Sequence, residues 1–214
     1  LRQAANGDID FGEPLRWLIH GGPGTGKSHV IKQVKLLFSQ VLHWEMGVEY
    51  QVVALQAVMA DQLGGDTIHH ACGIPVYNKG EGETPSKQFE IAKRVLQWRW
   101  LIIDEISMVS AKLLATVDVK LRSTVRQIGT QKVGEDNRDR PFGGLNVLLC
   151  GDFWQLAPPD GGFLGDIPTQ FIQKARKYQP APTIAHGQAL MWGGPEQGVQ
   201  GVTELVQCER CKDQ

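Results

Sequence analysis

The stretch Leu18–Val34, LIHGGPGTGKSHVIKQV, decides how the rest of the chain is read. Gly21, Gly26, Lys27 and Ser28 fit the pattern G-x-x-x-x-G-K-[ST]. The apolar run Trp17–Ile19 before it reads as a buried strand, and Val30–Phe38 after it has helical spacing. A glycine-rich turn between strand and helix lets backbone N–H groups close around phosphate oxygens, and the helix N-terminus adds positive partial charge. Gly22, Gly24, Thr25 and Gly26 would line that cradle. Lys27 would reach the β- and γ-phosphates, and the Ser28 hydroxyl would ligate Mg²⁺. A glycine turn with no ligand is the bland alternative, and the strand-before, helix-after context weighs against it.

The rest of the chain fits around that loop. Apolar runs at Trp17–Ile19, Val52–Leu55, Trp100–Ile103 and Leu145–Cys150 alternate with helix candidates at Val30–Val41, Val58–Leu63, Ser86–Gln97 and Ala111–Ile128. Continuous apolar strands between amphipathic helices predict an α/β fold, a parallel sheet with helices on both faces. The segment Pro158–Pro195 is rich in Gly, Pro and Gln and predicts loops with one short helix. At 214 residues, 42% hydrophobic and 21% charged, the composition is that of one ordinary globular unit. No run is long enough to span a membrane, and the N-terminus lacks a signal-peptide layout, so an intracellular protein is expected. Nucleus, mitochondrion and bacterial cytoplasm fit equally.

Cys72, Cys150, Cys208 and Cys211 are too scattered for a disulfide scaffold. Cys208 and Cys211 form C-x-x-C, but without a second pair or nearby histidine to complete a zinc site. A net charge of −1 gives no global support for a nucleic-acid partner. Two local basic clusters, Lys120–Arg140 and Lys174–Lys177, read equally as solvated faces or as phosphate contacts.

Two further segments carry chemistry. In RWLIIDEISMVS, Asp104 and Glu105 end an apolar strand, where a P-loop sheet places its metal-binding carboxylate. Asp104 would hold Mg²⁺, and Glu105 would orient and deprotonate the attacking water. That acidic pair points to a hydrolase. In LNVLLCGDFWQLAPP, Gln155 follows a buried strand and a Gly151–Asp152 turn. Its amide is placed to donate to a γ-phosphate or to the attacking water, while Phe153, Trp154 and the prolines read equally as packing.

These blocks, with GDTIHHACGI and TELVQCERCKD, stand in the order and spacing of the petite-integration-frequency helicases, a branch of superfamily-one DNA helicases, and of their relatives in rolling-circle transposons. The resemblance runs from about Leu15 to the last residue. It implies a RecA-like P-loop domain in which ATP hydrolysis drives 5′-to-3′ movement on single-stranded DNA. It also implies that Gln155 couples the γ-phosphate to DNA and that Arg210 stabilises transition-state charge. The stretch VVALQAVMADQLGGDTIHHACGI resembles the family's first DNA-contacting segment, with Gln56, Thr67 and His69 as contacts. Gln56-Ala57 replaces the family's Thr-Gly, and the alanine is expected to restrict that turn. Adjacent His69 and His70 point apart in such a segment, which disfavours a metal site. The resemblance leaves the family's adenine-recognising glutamine segment and its second motor domain unmatched. Residues 1–214 are therefore expected to form one first motor domain, slow in hydrolysis and unable to unwind DNA alone.

Two rivals were weighed. Asn78–Glu81, NKGE, nearly matches a guanine-selecting motif, but it precedes the Asp104 strand instead of following it. A degenerate fragment acting as a nucleotide- and DNA-binding adaptor is the non-enzymatic reading.

Overall fold

The computed structural model describes residues 13–75, 85–128, 140–166 and 183–208. Six strands form one sheet: β1 (Arg16–Gly21), β2 (Tyr50–Ala54), β3 (Asp66–Thr67), β4 (Trp100–Ile103), β5 (Asn146–Gly151) and β6 (Gly201–Leu205). Their order is β3-β2-β4-β5-β1-β6, and every neighbouring pair is parallel. The helices are α1 (Lys27–Leu36), α2 (Ala57–Gln62), α3 (Ile68–Cys72), α4 (Pro85–Gln97), α5 (Ala111–Ile128) and α6 (Ile184–Trp192). α1 runs on into a π-helical turn, Leu37–Val41.

The two-sided burial expected of the strands is present, and it alternates residue by residue. Leu18, Val53, Leu101, Ile103, Val147 and Leu149 face α3, α4, α5 and α6. Their neighbours Ile19, Val52, Ile102, Leu148 and Cys150 face Ile31 and Phe38 on the α1 side. A period of two puts successive side chains on opposite faces, so an unbroken apolar run is what a sheet covered on both sides requires. Each fully buried aliphatic side chain adds about 1.5–3 kcal/mol.

α5 spans the predicted residues, and its Leu114, Val117 and Leu121 form a fully buried stripe at helical spacing. Among the described residues of the loop-rich segment, α6 is the one α-helix, capped by Thr183, whose hydroxyl accepts from the His186 N–H at 3.1 Å. Residues 167–182, with the Lys174–Lys177 cluster, lie outside the described residues, as does the Asn78–Glu81 motif.

Two strands went unread in the sequence. β3 has two residues, and β6 exposes Val202, Thr203 and Glu204, so neither carries the apolar run that marks the inner strands.

A buried polar hub ties α5 to α6 and to the turn before β5. The Asp118 carboxylate is fully buried and accepts from Phe142 N–H at 2.6 Å. Arg122 Nε reaches both carboxylate oxygens, at 3.0 and 2.8 Å, and His186 Nε2 lies 2.9 Å from Oδ2. Phe142 sits at φ 54°, a conformation that a bulky residue holds only when its surroundings impose it. Arg122, part of a basic cluster in the sequence, is thus partly buried and paired with a core carboxylate.

Candidate nucleotide and nucleic-acid site

The phosphate loop leaves the C-terminal end of β1 and enters α1 through Gly26, whose φ of 96° lies in the left-handed region that glycine tolerates. Lys27 is buried, and its Nζ donates to the carbonyl oxygens of Gly21 at 2.6 Å and Gly22 at 3.0 Å. Ser28 is exposed at the first turn of α1. Thr25 Oγ1 donates to the Gly22 carbonyl at 2.8 Å and closes the loop on itself.

β4 delivers the carboxylates to the same edge. Asp104 follows Ile103 directly and is buried, and its Oδ1 has no hydrogen-bond partner among the described residues. An orphaned carboxylate oxygen on a residue coupled to Lys27, together with the exposed Ser28 hydroxyl that follows Lys27 in the chain, offers the oxygen donors that a hard cation such as Mg²⁺ takes. Burial pushes the Asp104 carboxyl above its ordinary range, opposed by a Glu105 backbone hydrogen bond and by the Lys27 charge. Glu105 is also raised, first by burial, then by the Asp104 charge, with Lys27 opposing and Asp152 adding. These electrostatic couplings bring Lys27, Asp104, Glu105 and Asp152 together. Glu105 itself adopts φ 51°, ψ 49°, a strained left-handed backbone at a site of chemistry.

Gln155 stands on the turn after β5. Its Nε2 donates to Asp152 Oδ2 at 3.0 Å, and its N–H donates to the Asp152 carbonyl at 3.1 Å. Asp152 is buried, and its Oδ1 accepts from Trp154 N–H at 3.0 Å. The aromatic pair divides. Phe153 packs against His20, Phe163 and Trp192, whereas Trp154 is 89% exposed. Asp152 and His20 were not singled out in the sequence; Asp152 carried a signal, an acid closing a buried strand in the manner of Asp104. Arg210 and Cys211 lie outside the described residues.

Gln56, Thr67 and His69 follow or end β2 and β3 at the same sheet edge. Gln56 is exposed at φ −101° as the N-cap of α2, and Ala57 opens that helix. Neither has a positive φ, so alanine suits this turn and the expected restriction is absent. Thr67 caps α3, its hydroxyl accepting from His70 N–H at 3.3 Å. His69 is partly buried, which holds its pKa down, and exposed His70 pairs with Asp66. No group of three metal-ligating side chains occurs among the described residues. Cys72 and Cys150 are buried and free; burial pushes the Cys72 thiol up to about 12 and raises Cys150 further. No described helix is long and apolar enough to cross a membrane.

An all-parallel sheet with its phosphate loop, acidic strand end and glutamine turn on one edge defines a RecA-like P-loop fold. The chain belongs to the PIF1-like helicase family, whose sequence profile matches residues 9–173. It is 29% identical over 201 residues to the human ATP-dependent DNA helicase PIF1, covering 91% of this chain and 27% of that protein. To the Trypanosoma brucei brucei ATP-dependent DNA helicase PIF3 it is 36% identical over 142 residues, 66% of this chain and 15% of that protein. Among solved structures, the Pif1 helicase from Candida albicans matches with a TM-score of 0.60 at 24% identity, over 100% of this chain and 39% of that one. The Bacteroides Pif1 helicase in complex with ADP-AlF3 and ssDNA matches with a TM-score of 0.58 at 24% identity, over 97% and 41%. The chain therefore spans about a quarter or less of these two curated relatives.

Proposed function

We propose that this chain is the first motor domain of an ATP-dependent 5′-to-3′ DNA helicase. It binds Mg-ATP and single-stranded DNA and works with a second motor domain in a longer protein. Gly22, Gly24, Thr25 and Gly26 cradle the phosphates, Lys27 moves from the loop carbonyls to the β- and γ-phosphates, and Ser28 and Asp104 hold Mg²⁺. Glu105 takes the proton of the attacking water as that oxygen bonds to the γ-phosphorus and the β–γ bridge breaks. Its raised pKa makes it a stronger base than an ordinary carboxylate. Gln155 senses the γ-phosphate, Arg210 stabilises the transition-state charge, and Gln56, Thr67 and His69 contact DNA.

The observation that carries this reading is the orphaned, buried Asp104 oxygen, coupled electrostatically to Lys27 and Glu105 at the end of β4. Family membership and a solved relative named as a complex with ADP-AlF3 and ssDNA support it. ATP turnover by the chain with and without single-stranded DNA tests it. Hydrolysis that DNA stimulates and that Lys27→Ala abolishes is expected. Absence of hydrolysis in the parent chain would favour the non-catalytic adaptor.

A further inference from the structure

We propose that His20 is a positioning residue, latching the turn that carries Gln155 to the strand that feeds the phosphate loop. The proposal rests on the assignment of Gln155 as the γ-phosphate sensor. His20 is the β1 residue just before Gly21, whose carbonyl receives the Lys27 ammonium. Across the sheet it is in register with Gly151, the last residue of β5. Its Nε2 accepts the Phe153 N–H at 3.2 Å, and its ring stacks on the Phe153 ring at 5.9 Å with a 17° tilt.

The turn from Asp152 to Gln155 is otherwise held from within, by the three bonds to Asp152 described above. Those bonds fix Gln155 relative to Asp152, which the β1–β5 ladder and the 3.7 Å approach of His20 Nε2 to Asp152 Oδ1 already hold beside β1, while the residues after Asp152 have left the ladder. The Phe153–His20 contact supplies a second reference, one residue from the loop itself. Phe153 is wedged on its other side by Phe163 and Trp192, so the ring cannot follow a His20 that moves without disturbing the core. His20 side-chain exposure of 15% leaves the latch largely shielded from water, where a backbone N–H without its acceptor loses a hydrogen bond.

The test compares the full chain with His20→Leu and His20→Gln, the latter offering an amide oxygen where Nε2 accepts. Two readouts are used: ATP turnover, and hydrogen exchange of the segment Phe153–Leu156. His20→Leu is expected to lower kcat about tenfold with KM for ATP within about twofold, the pattern of a mispositioned group and not of lost binding. Exchange of the Phe153 amide should rise about tenfold in that variant, and His20→Gln should bring both readouts back to within about threefold of the parent. Unchanged turnover and exchange in His20→Leu would overturn the proposal. So would equal damage to KM and kcat in both variants, which marks a merely structural residue. A parent chain that hydrolyses no ATP would instead sink the motor reading. Exchange alone would then decide the latch: faster in His20→Leu and reversed in His20→Gln, it stands; unchanged, it falls.

Discussion

The Lys27 ammonium lies 2.6 Å from the carbonyl oxygen of Gly21 and 3.0 Å from that of Gly22, so the lysine ties the glycine loop to itself. On the proposed reading, a triphosphate would draw that ammonium away from two carbonyls, substituting charged oxygens for neutral ones.

Mg-ADP is accordingly expected to raise the thermal midpoint. Ligand at about 100 times its Kd adds about 2.7 kcal/mol. In a chain of this size that corresponds to a rise of roughly 5–10 °C. Lys27→Ala should abolish the rise, as differential scanning fluorimetry would read. An equal rise in the variant would detach Lys27 from the nucleotide.

Asp104→Asn is expected to stabilise the nucleotide-free chain while removing its response to Mg²⁺. Burial raises the Asp104 pKa in the fold above its ordinary 3.8, so the folded chain binds that proton more tightly than the unfolded one. The ionised carboxylate therefore weakens the fold at neutral pH. That weakening is relieved as pH falls through the raised value towards 3.8. Chemical denaturation at pH 7.5 should find the variant more stable than the parent. A less stable variant would refute the sign.

Asp118→Ala breaks the hub between α5, α6 and the turn at Phe142. It leaves Arg122 without its carboxylate and the Phe142 N–H without its acceptor. Removing one partner of a buried ion pair costs about 3–5 kcal/mol. Urea unfolding should show that loss, with Asp118→Asn intermediate because its amide oxygen still accepts from Phe142. A loss below 1 kcal/mol in Asp118→Ala would mean the hub contributes little.

Gly187→Ala is expected to separate α6 from α5. A Cβ there would sit 1.8 Å from the Ala111 carbonyl oxygen, a backbone atom that cannot rotate away. Overpacking a tight interface costs about 1–3 kcal/mol even where neighbours can yield. The expected outcome is a larger loss, or insoluble protein. Wild-type stability would show that the two helices are not in such close contact.

The sheet and the chemistry differed in how plainly the residues announced them. Trp100–Ile103 and Ala111–Ile128 were readable to the residue because each carries one uninterrupted signal, a fully apolar run or a helical stripe. β6 was not, since an edge strand need not be apolar, and Val202, Thr203 and Glu204 are all exposed. Lys27, Asp104 and Glu105 stand out in the sequence because phosphate and metal chemistry would require those residue types after a glycine loop and at a strand end. Asp118, Arg122 and His186 were not, because a buried polar hub is defined by partners far apart in sequence. Arg122 looked like part of a charged surface until its carboxylate came into view. Thr67 shows the converse: one hydroxyl suits a nucleic-acid contact and also caps α3.

β1 precedes by a long stretch of chain both strands that flank it, Asn146–Gly151 and Gly201–Leu205. The loop at its end can thus be assembled only after nearly two hundred further residues have left the ribosome. Closing so distant a pairing is slow. A nascent chain halted before residue 205 would carry the whole glycine-lysine signature and still lack the scaffold that shapes it.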